Sequence, residues 1–263
     1  FKQKTAYEIG VRLVGSEMCI RDRHGYCLGG RAGSSEANSL GIDKYAYSAD
    51  GNSTGIGDMS SNNSHFSGSS SYTHGFAAGG YSNVTTIRRM SFSVDAGSSD
   101  VDNLSQGKWT AGGHSTPTHG YYSGGEAVSQ STRIDQITFA GDGVSAVGHG
   151  DLRRSTRAQG GTGTKTHGYA VSGVEYNNSP QCYTTVDVFP YATASGTTGH
   201  CDIAQKRHTV ASNSSDTHGY ASGGASSGTL INRIDKYAHA ASSTATDHGD
   251  LSVSRRECAG TQY

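Results

Sequence analysis

Proline, tryptophan, aliphatic residues and long apolar runs are all scarce in this chain. With three prolines among 263 residues, no polyproline or collagen-like architecture is available. No apolar stretch approaches the roughly 18 residues of a membrane helix, so no membrane insertion is expected. Neither sign of charge dominates: 21 Lys and Arg stand against 22 Asp and Glu. That leaves no basic field to draw in nucleic acid or an anionic membrane. The five cysteines form no CxxC pair, which disfavours zinc. A Cys182–Cys201 bridge is conceivable, but free thiols are expected. Leu, Ile, Val and Phe together supply only 37 residues, few enough to raise the question of disorder. The small net charge and the 15 tyrosines answer it in favour of order, with a core built from Tyr, Ala, Gly and Ser as much as from aliphatics.

What the chain has in their place is one phrase used five times. His218-Gly219-Tyr220-Ala221-Ser222-Gly223-Gly224 has counterparts opening at His24, His74, His119 and His167. The fourth copy carries Ser172 where the others carry the first glycine of the pair. A threonine precedes the last four (Thr73, Thr118, Thr166, Thr217), and the histidines are 50, 45, 48 and 51 residues apart. Such a period marks a propeller or a solenoid. The units run 24–73, 74–118, 119–166, 167–217 and 218–263.

Residues 1–23 carry no repeat phrase and no apolar core of signal-peptide length. Lys2 to Ile9 and Leu13 to Arg23 resemble in-frame translations of a sequencing-adapter oligonucleotide and a transposon end, which implies a metagenomic fragment. Set aside on that ground, the segment leaves residues 24–263 as the protein proper. The expectation is then that the five units belong to a larger propeller.

Two further phrases recur in each unit. A hexamer, Ile42–Tyr47, Ile87–Phe92, Ile134–Phe139, Val186–Tyr191 and Ile234–His239, begins with a β-branched residue, has a large apolar residue fourth and usually an aromatic sixth. Bounded by Gly, Ser, Asn and Asp, it reads as a strand. The second phrase pairs a carboxylate or amide with an aliphatic: Asp58-Met59, Asn103-Leu104, Asp151-Leu152, Asp202-Ile203 and Asp250-Leu251. Asp and Asn there suit a tight turn. A basic or aromatic residue and then a small-small pair close the unit, as in Lys108-Trp109 followed by Gly112-Gly113. About four short strands per unit without a helix predict an all-β chain of five four-stranded propeller blades. A β-solenoid is the alternative.

The order of glycine doublet (Gly223-Gly224), Tyr-bearing strand (Ile234-Asp235-Lys236-Tyr237), Asp250-Leu251 and Arg255-Arg256 resembles the kelch repeat, and it does so across all five units. The kelch Trp after the Tyr strand is absent, Trp109 standing elsewhere. The resemblance implies a β-propeller used mainly as a binding scaffold, with one copper-oxidase branch. The Thr-His-Gly-Tyr opener is similar to repeats of structural or tail-fibre proteins of marine bacteriophages, which implies a virion or extracellular surface.

The chemistry is weighed against that background. His24, His74, His119, His167 and His218 would form a ring in a closed propeller, and imidazole rings bind divalent metals. Their presence in every unit favours a structural tether, because a catalytic centre needs asymmetry. Asp58, Asp151, Asp202 and Asp250 lack the close spacing of a calcium loop and are expected to cap turns. No singular Tyr–Cys–His cluster supports a copper radical site, and no unit holds an unusual acidic pair for glycoside hydrolysis. No cofactor and no catalytic residue is expected. Function falls to the segments after each glycine doublet: 31–41, 81–86, 126–133, 174–185 and 225–233. The longest carries Tyr176, Asn177, Asn178 and Tyr183, the candidate contacts for a glycan or protein ligand. The reading is a non-catalytic binding or virion-structural module, with a surface enzyme on the same scaffold as the alternative.

Overall fold

A computed structural model describes residues 24–32, 37–48, 50–143, 145–177 and 179–257. Residues 1–23 therefore lie outside it. Every described element is a strand. Blade 1 holds β1 (His24–Leu28), a ribbon of β2 (Arg31–Ala32) and β3 (Ala37–Asn38), then β4 (Gly41–Ala46) and β5 (Thr54–Asp58). Blade 2 holds β6 (Ser67–Ser70), β7 (His74–Ala78), β8 (Thr86–Ser91) and β9 (Ser99–Asn103). Blade 3 holds β10 (Gly112–Ser115), β11 (His119–Ser123), β12 (Arg133–Thr138) and β13 (Val147–Asp151). Blade 4 runs β14 (Gly160–Gly163), β15 (His167–Val171), the ribbon β16 (Val174–Asn177) and β17 (Ser179–Cys182), β18 (Thr185–Pro190) and β19 (Thr198–Asp202). Blade 5 runs β20 (Ala211–Ser214), β21 (His218–Ser222), the ribbon β22 (Ala225–Ser226) and β23 (Thr229–Leu230), β24 (Arg233–Ala238) and β25 (Thr246–Asp250). All the blade sheets are antiparallel meanders; four have four strands, and blade 1 has three among the described residues. The sheets are arranged in a ring as a five-blade β-propeller, which sets aside the solenoid.

Sheet and sequence unit are out of phase. Each innermost strand, such as β10, comes from the end of one unit and pairs with the opener of the next, β11. The opener's glycine makes room for a ring. It faces the fourth residue of the hexamer across the ladder, as in Gly219 opposite Tyr237 and Gly168 opposite Phe189. The large ring lies over the glycine, and a Cβ on Gly219 would sit 2.2 Å from Tyr237. The next residue of the opener reaches the following blade. Tyr26 stacks on Phe92 at 4.9 Å, Phe76 on Phe139 at 4.4 Å, Tyr121 on Tyr191 at 4.6 Å, and Tyr169 on His239 at 4.7 Å. Three of these tyrosines also donate their hydroxyl to the main-chain carbonyl of the residue they stack on. The recurring aromatic positions are thus the two halves of one blade-to-blade contact, each pair adding about 1 kcal/mol beyond its buried area. Aliphatics such as Ile87, Ile134 and Val186 fill the remaining space between sheets.

Near the axis the contact is backbone on backbone. A Cβ on Gly113 would lie 2.0 Å from the Gly68 carbonyl, and one on Gly161 would lie 2.3 Å from that of Gly113. Just before β6, β10, β14 and β20, His65, Thr110, Ala158 and Thr209 adopt positive φ, and Glu257 does the same. The N–H of Thr110 donates to the His65 carbonyl, Ala158 to Thr110, Thr209 to Ala158 and Glu257 to Thr209, at 2.6–3.2 Å. This girdle, together with the glycine contacts, links consecutive described blades along the axis.

Candidate functional site

The opener histidines belong to the turns that join each innermost strand to its neighbour. Thr73, Thr118, Thr166 and Thr217 share a hydrogen bond of 2.8–2.9 Å with Nδ1 of the following histidine. The backbone N–H groups of His74, His119, His167 and His218 donate to the hydroxyls of Ser71, Thr116, Thr164 and Ser215, three residues earlier. His24 opens β1. Partial burial holds the imidazoles of His74 and His119 below their usual pKa. Asp58, Asp151, Asp202 and Asp250 are the last residues of the outermost strands β5, β13, β19 and β25. Asp151 and Asp202 accept from Thr132 and Thr184 on the adjacent strand's approach, at 2.8 and 2.6 Å. Beside them lies a bulge at the same register in every blade, the device by which a strand re-aims one side chain. In blades 3 and 4 it turns His149 and His200 inward, where Nε2 meets the carbonyls of Pro190 and Ala238 in the next blade, each at 2.8 Å.

The loops after the glycine doublets all leave the ring at one end, because every sheet runs in the same order. Among the described residues each exposes a large side chain: Leu40, Tyr81, Val128, Tyr176 and Leu230, with Val128 at 95% and Tyr176 at 48%. The connections between blades emerge at the same end. Their residues Trp109, Arg157 and His208 pair through the backbone with Glu126, Val174 and Ala225 of those loops.

These pairings build a stack that crosses two blades. The Arg157 guanidinium lies 5.1 Å from the Trp109 ring centroid and 4.1 Å from that of Tyr176, between the two. Glu126 holds it from the side through an ion pair. His65 and Tyr81 meet Trp109 edge-on at 5.3 and 5.2 Å. The ribbon bearing Tyr176 is pinned a second time. Tyr183 donates its hydroxyl to Glu175 and receives the Arg154 guanidinium over its ring at 4.8 Å. Tyr176 and Tyr183 of the expected contacts therefore sit at the tip and base of a braced platform. Asn177 ends β16, and Asn178 lies outside the described residues. From the sequence Trp109 and Arg157 stand out only as the basic or aromatic position that closes each unit, and Glu126 does not stand out at all. The available signal was their equivalence in the repeat: Trp109, Arg157 and His208 each precede a positive-φ residue by one place.

Beyond the stack, His208 is half-buried with its Nδ1 lacking a hydrogen-bond partner. Burial first, then the Arg256 and Arg157 cations, keep its imidazole below the usual pKa. A polar cavity of about 290 Å³ at the outer edge of blades 2 and 3 is lined by Thr86, Asp100, Asp102 and Gly143, among others. Among the described residues no group of three or more His, Cys, Asp and Glu is gathered as a metal site would require. Cys182 and Cys201 are free thiols, and burial pushes the Cys201 thiol up to about 12, far from the range of a reactive thiolate. No model of a known protein family matches the chain, and no curated protein sequence matches it.

Proposed function

We propose that this chain is a non-catalytic recognition or structural module of the kelch-like propeller type, whose loop end binds a glycan or a protein at a virion or cell surface. One observation carries the reading: among the described residues, all five loops at one end of the ring expose a large apolar or aromatic side chain. Isolated exposed apolar residues are ordinary on any protein, but one per loop at a single end is a contact surface. At its centre stand Trp, Tyr and Arg, the residue types that dominate binding energy at interfaces, set among Ser, Asn, Thr and Gly as in adaptable recognition loops. The opener histidines act as turn tethers repeated without distinction, the pattern of scaffold and not of chemistry. Screening residues 24–263 against a glycan array and against the same glycans for hydrolysis tests the reading. Retention without turnover is expected; release of reducing ends would show an enzyme on the same scaffold.

A further inference from the structure

We infer that the loop-end platform is a site for uncharged carbohydrate, with Tyr176 and Tyr81 as stacking surfaces and the Arg157–Glu126 pair as the hydrogen-bonding edge. This rests on the recognition reading above. The first ground is shape. Pyranose rings present flat C–H faces ringed by hydroxyls, and they are matched by an exposed aromatic face beside fixed polar groups. Tyr176 is 48% exposed and Tyr81 45% exposed, while Trp109 lies between Tyr81 and the Arg157 guanidinium. The second ground is rigidity. Tyr176 is held against Arg157, and its ribbon is braced by Tyr183, Glu175 and Arg154, so little side-chain entropy remains to be lost on binding.

The third ground is charge, and it decides which carbohydrate. Arg157 is already neutralised by Glu126, with side-chain exposures of 18% and 27%. Arg256 stands 3.4 Å from Glu257, and burial favours the neutral form of His208. An acidic sugar would have to compete with Glu126 for Arg157 and would lie against that carboxylate. A neutral sugar meets both partners as they stand, its hydroxyls donating to the carboxylate and accepting from the guanidinium. The exposed aliphatics Leu40, Val128 and Leu230 come one to a loop, while the braced centre carries the Arg157–Glu126 pair, unlike the charge-depleted apolar core of a protein interface.

Trp109 is the only tryptophan in the chain, so its fluorescence reports directly on the site. Residues 24–263 would be titrated with a soluble neutral β-glucan, galactan and mannan, and with alginate and a sulfated galactan as acidic counterparts. At least one neutral polymer is expected to shift Trp109 emission and to retard the protein in affinity electrophoresis. Tyr176→Ala should weaken that retention tenfold or more, and Tyr47→Ala, an exposed tyrosine in the turn after β4, should leave it unchanged. Binding of the acidic polymers alone, or of none, would overturn the assignment. So would neutral binding that Tyr176→Ala leaves intact. Reducing ends released from a bound neutral polymer would overturn the non-catalytic reading while leaving the ligand class standing.

Discussion

At the scale of single residues, what is left out of a side chain matters as much as what is present. Gly113 sits where the innermost strands of blades 2, 3 and 4 approach one another. A Cβ there would stand 2.0 Å from a main-chain carbonyl that has no flexible end to move aside. Gly113→Ala is therefore expected to cost about 3 kcal/mol, at the upper end for overpacking, read as a fall in the urea midpoint with unchanged m-value. The Ala158 position is the converse: it takes φ 56 without being glycine, held there by the hydrogen bonds of the girdle on either side. Left-handed backbone costs an alanine about 1 kcal/mol, so the axial ring carries a strain that its inter-blade bonds outweigh.

Between strands, the buried charges show how one unit compensates for drift in another. Lys108 meets Asp135 at 3.0 Å and Arg207 meets Asp235 at 2.8 Å, all four side chains essentially inaccessible. In blade 4 the cation's place is taken by Thr156, and Asp187 is held by Arg153 instead, with Nε at 2.8 Å. In blade 2 the carboxylate's place is taken by Arg88, which donates to the Gly79 carbonyl and to Ser61. Removing one member of such a pair leaves an unpaired buried charge, so Asp235→Ala should cost about 3–5 kcal/mol, whereas Asp235→Ala combined with Arg207→Leu should recover much of it. A double-mutant cycle in urea would measure the coupling; additive losses would show that the pair does not act as one.

The same paired elements mark the limit of reading by sequence. The hexamer strands were legible because a β-branched residue leads and large apolar and aromatic residues return at the fourth and sixth places between turn-forming residues, and the openers because a phrase recurs. The innermost strands were only partly legible. Ser67-Gly68-Ser69-Ser70 has no strand-forming side chain, and its extension comes from the close approach of neighbouring blades at the axis. The sheet's phase was hidden for the same reason, since nothing local tells β6 to pair forward and not backward. Of the platform, Tyr176 and Tyr183 could be chosen as aromatics in the longest loop. Trp109 and Arg157 could not, being far apart in sequence and joined only when consecutive blades bring their connections together.

Across the whole molecule, stability is tied to acid through buried imidazole. His114 is enclosed, with Nδ1 2.9 Å from the Thr162 carbonyl and Nε2 2.9 Å from Ser123 Oγ, and burial pushes it down to about 4. His74, His119, His208 and His239 are shifted the same way by burial. Each binds its proton less readily folded than unfolded, so the unfolded chain holds more protons once pH drops below about 6.5. The contribution is complete above that value and is lost as pH falls toward 4, by up to about 1.4 kcal/mol per unit for His114 alone. The urea midpoint should be flat from pH 8 to 7 and decline from 6.5 to 4.5, with a shallower decline in His114→Asn. A flat profile across that range would mean that these imidazoles take up protons without loss of structure.

The offset between sheet and sequence unit has a consequence for how such a gene can change. Excising residues 119–166 would bring β10 directly before β15, and those two are an innermost strand and an opener of the kind that pair in every other four-stranded sheet. The junction restores a four-stranded sheet, and the ring contacts on either side keep the same chemical partners. Recombination between the repeated Thr-His-Gly codons would thus insert or remove entire blades and never leave half of one.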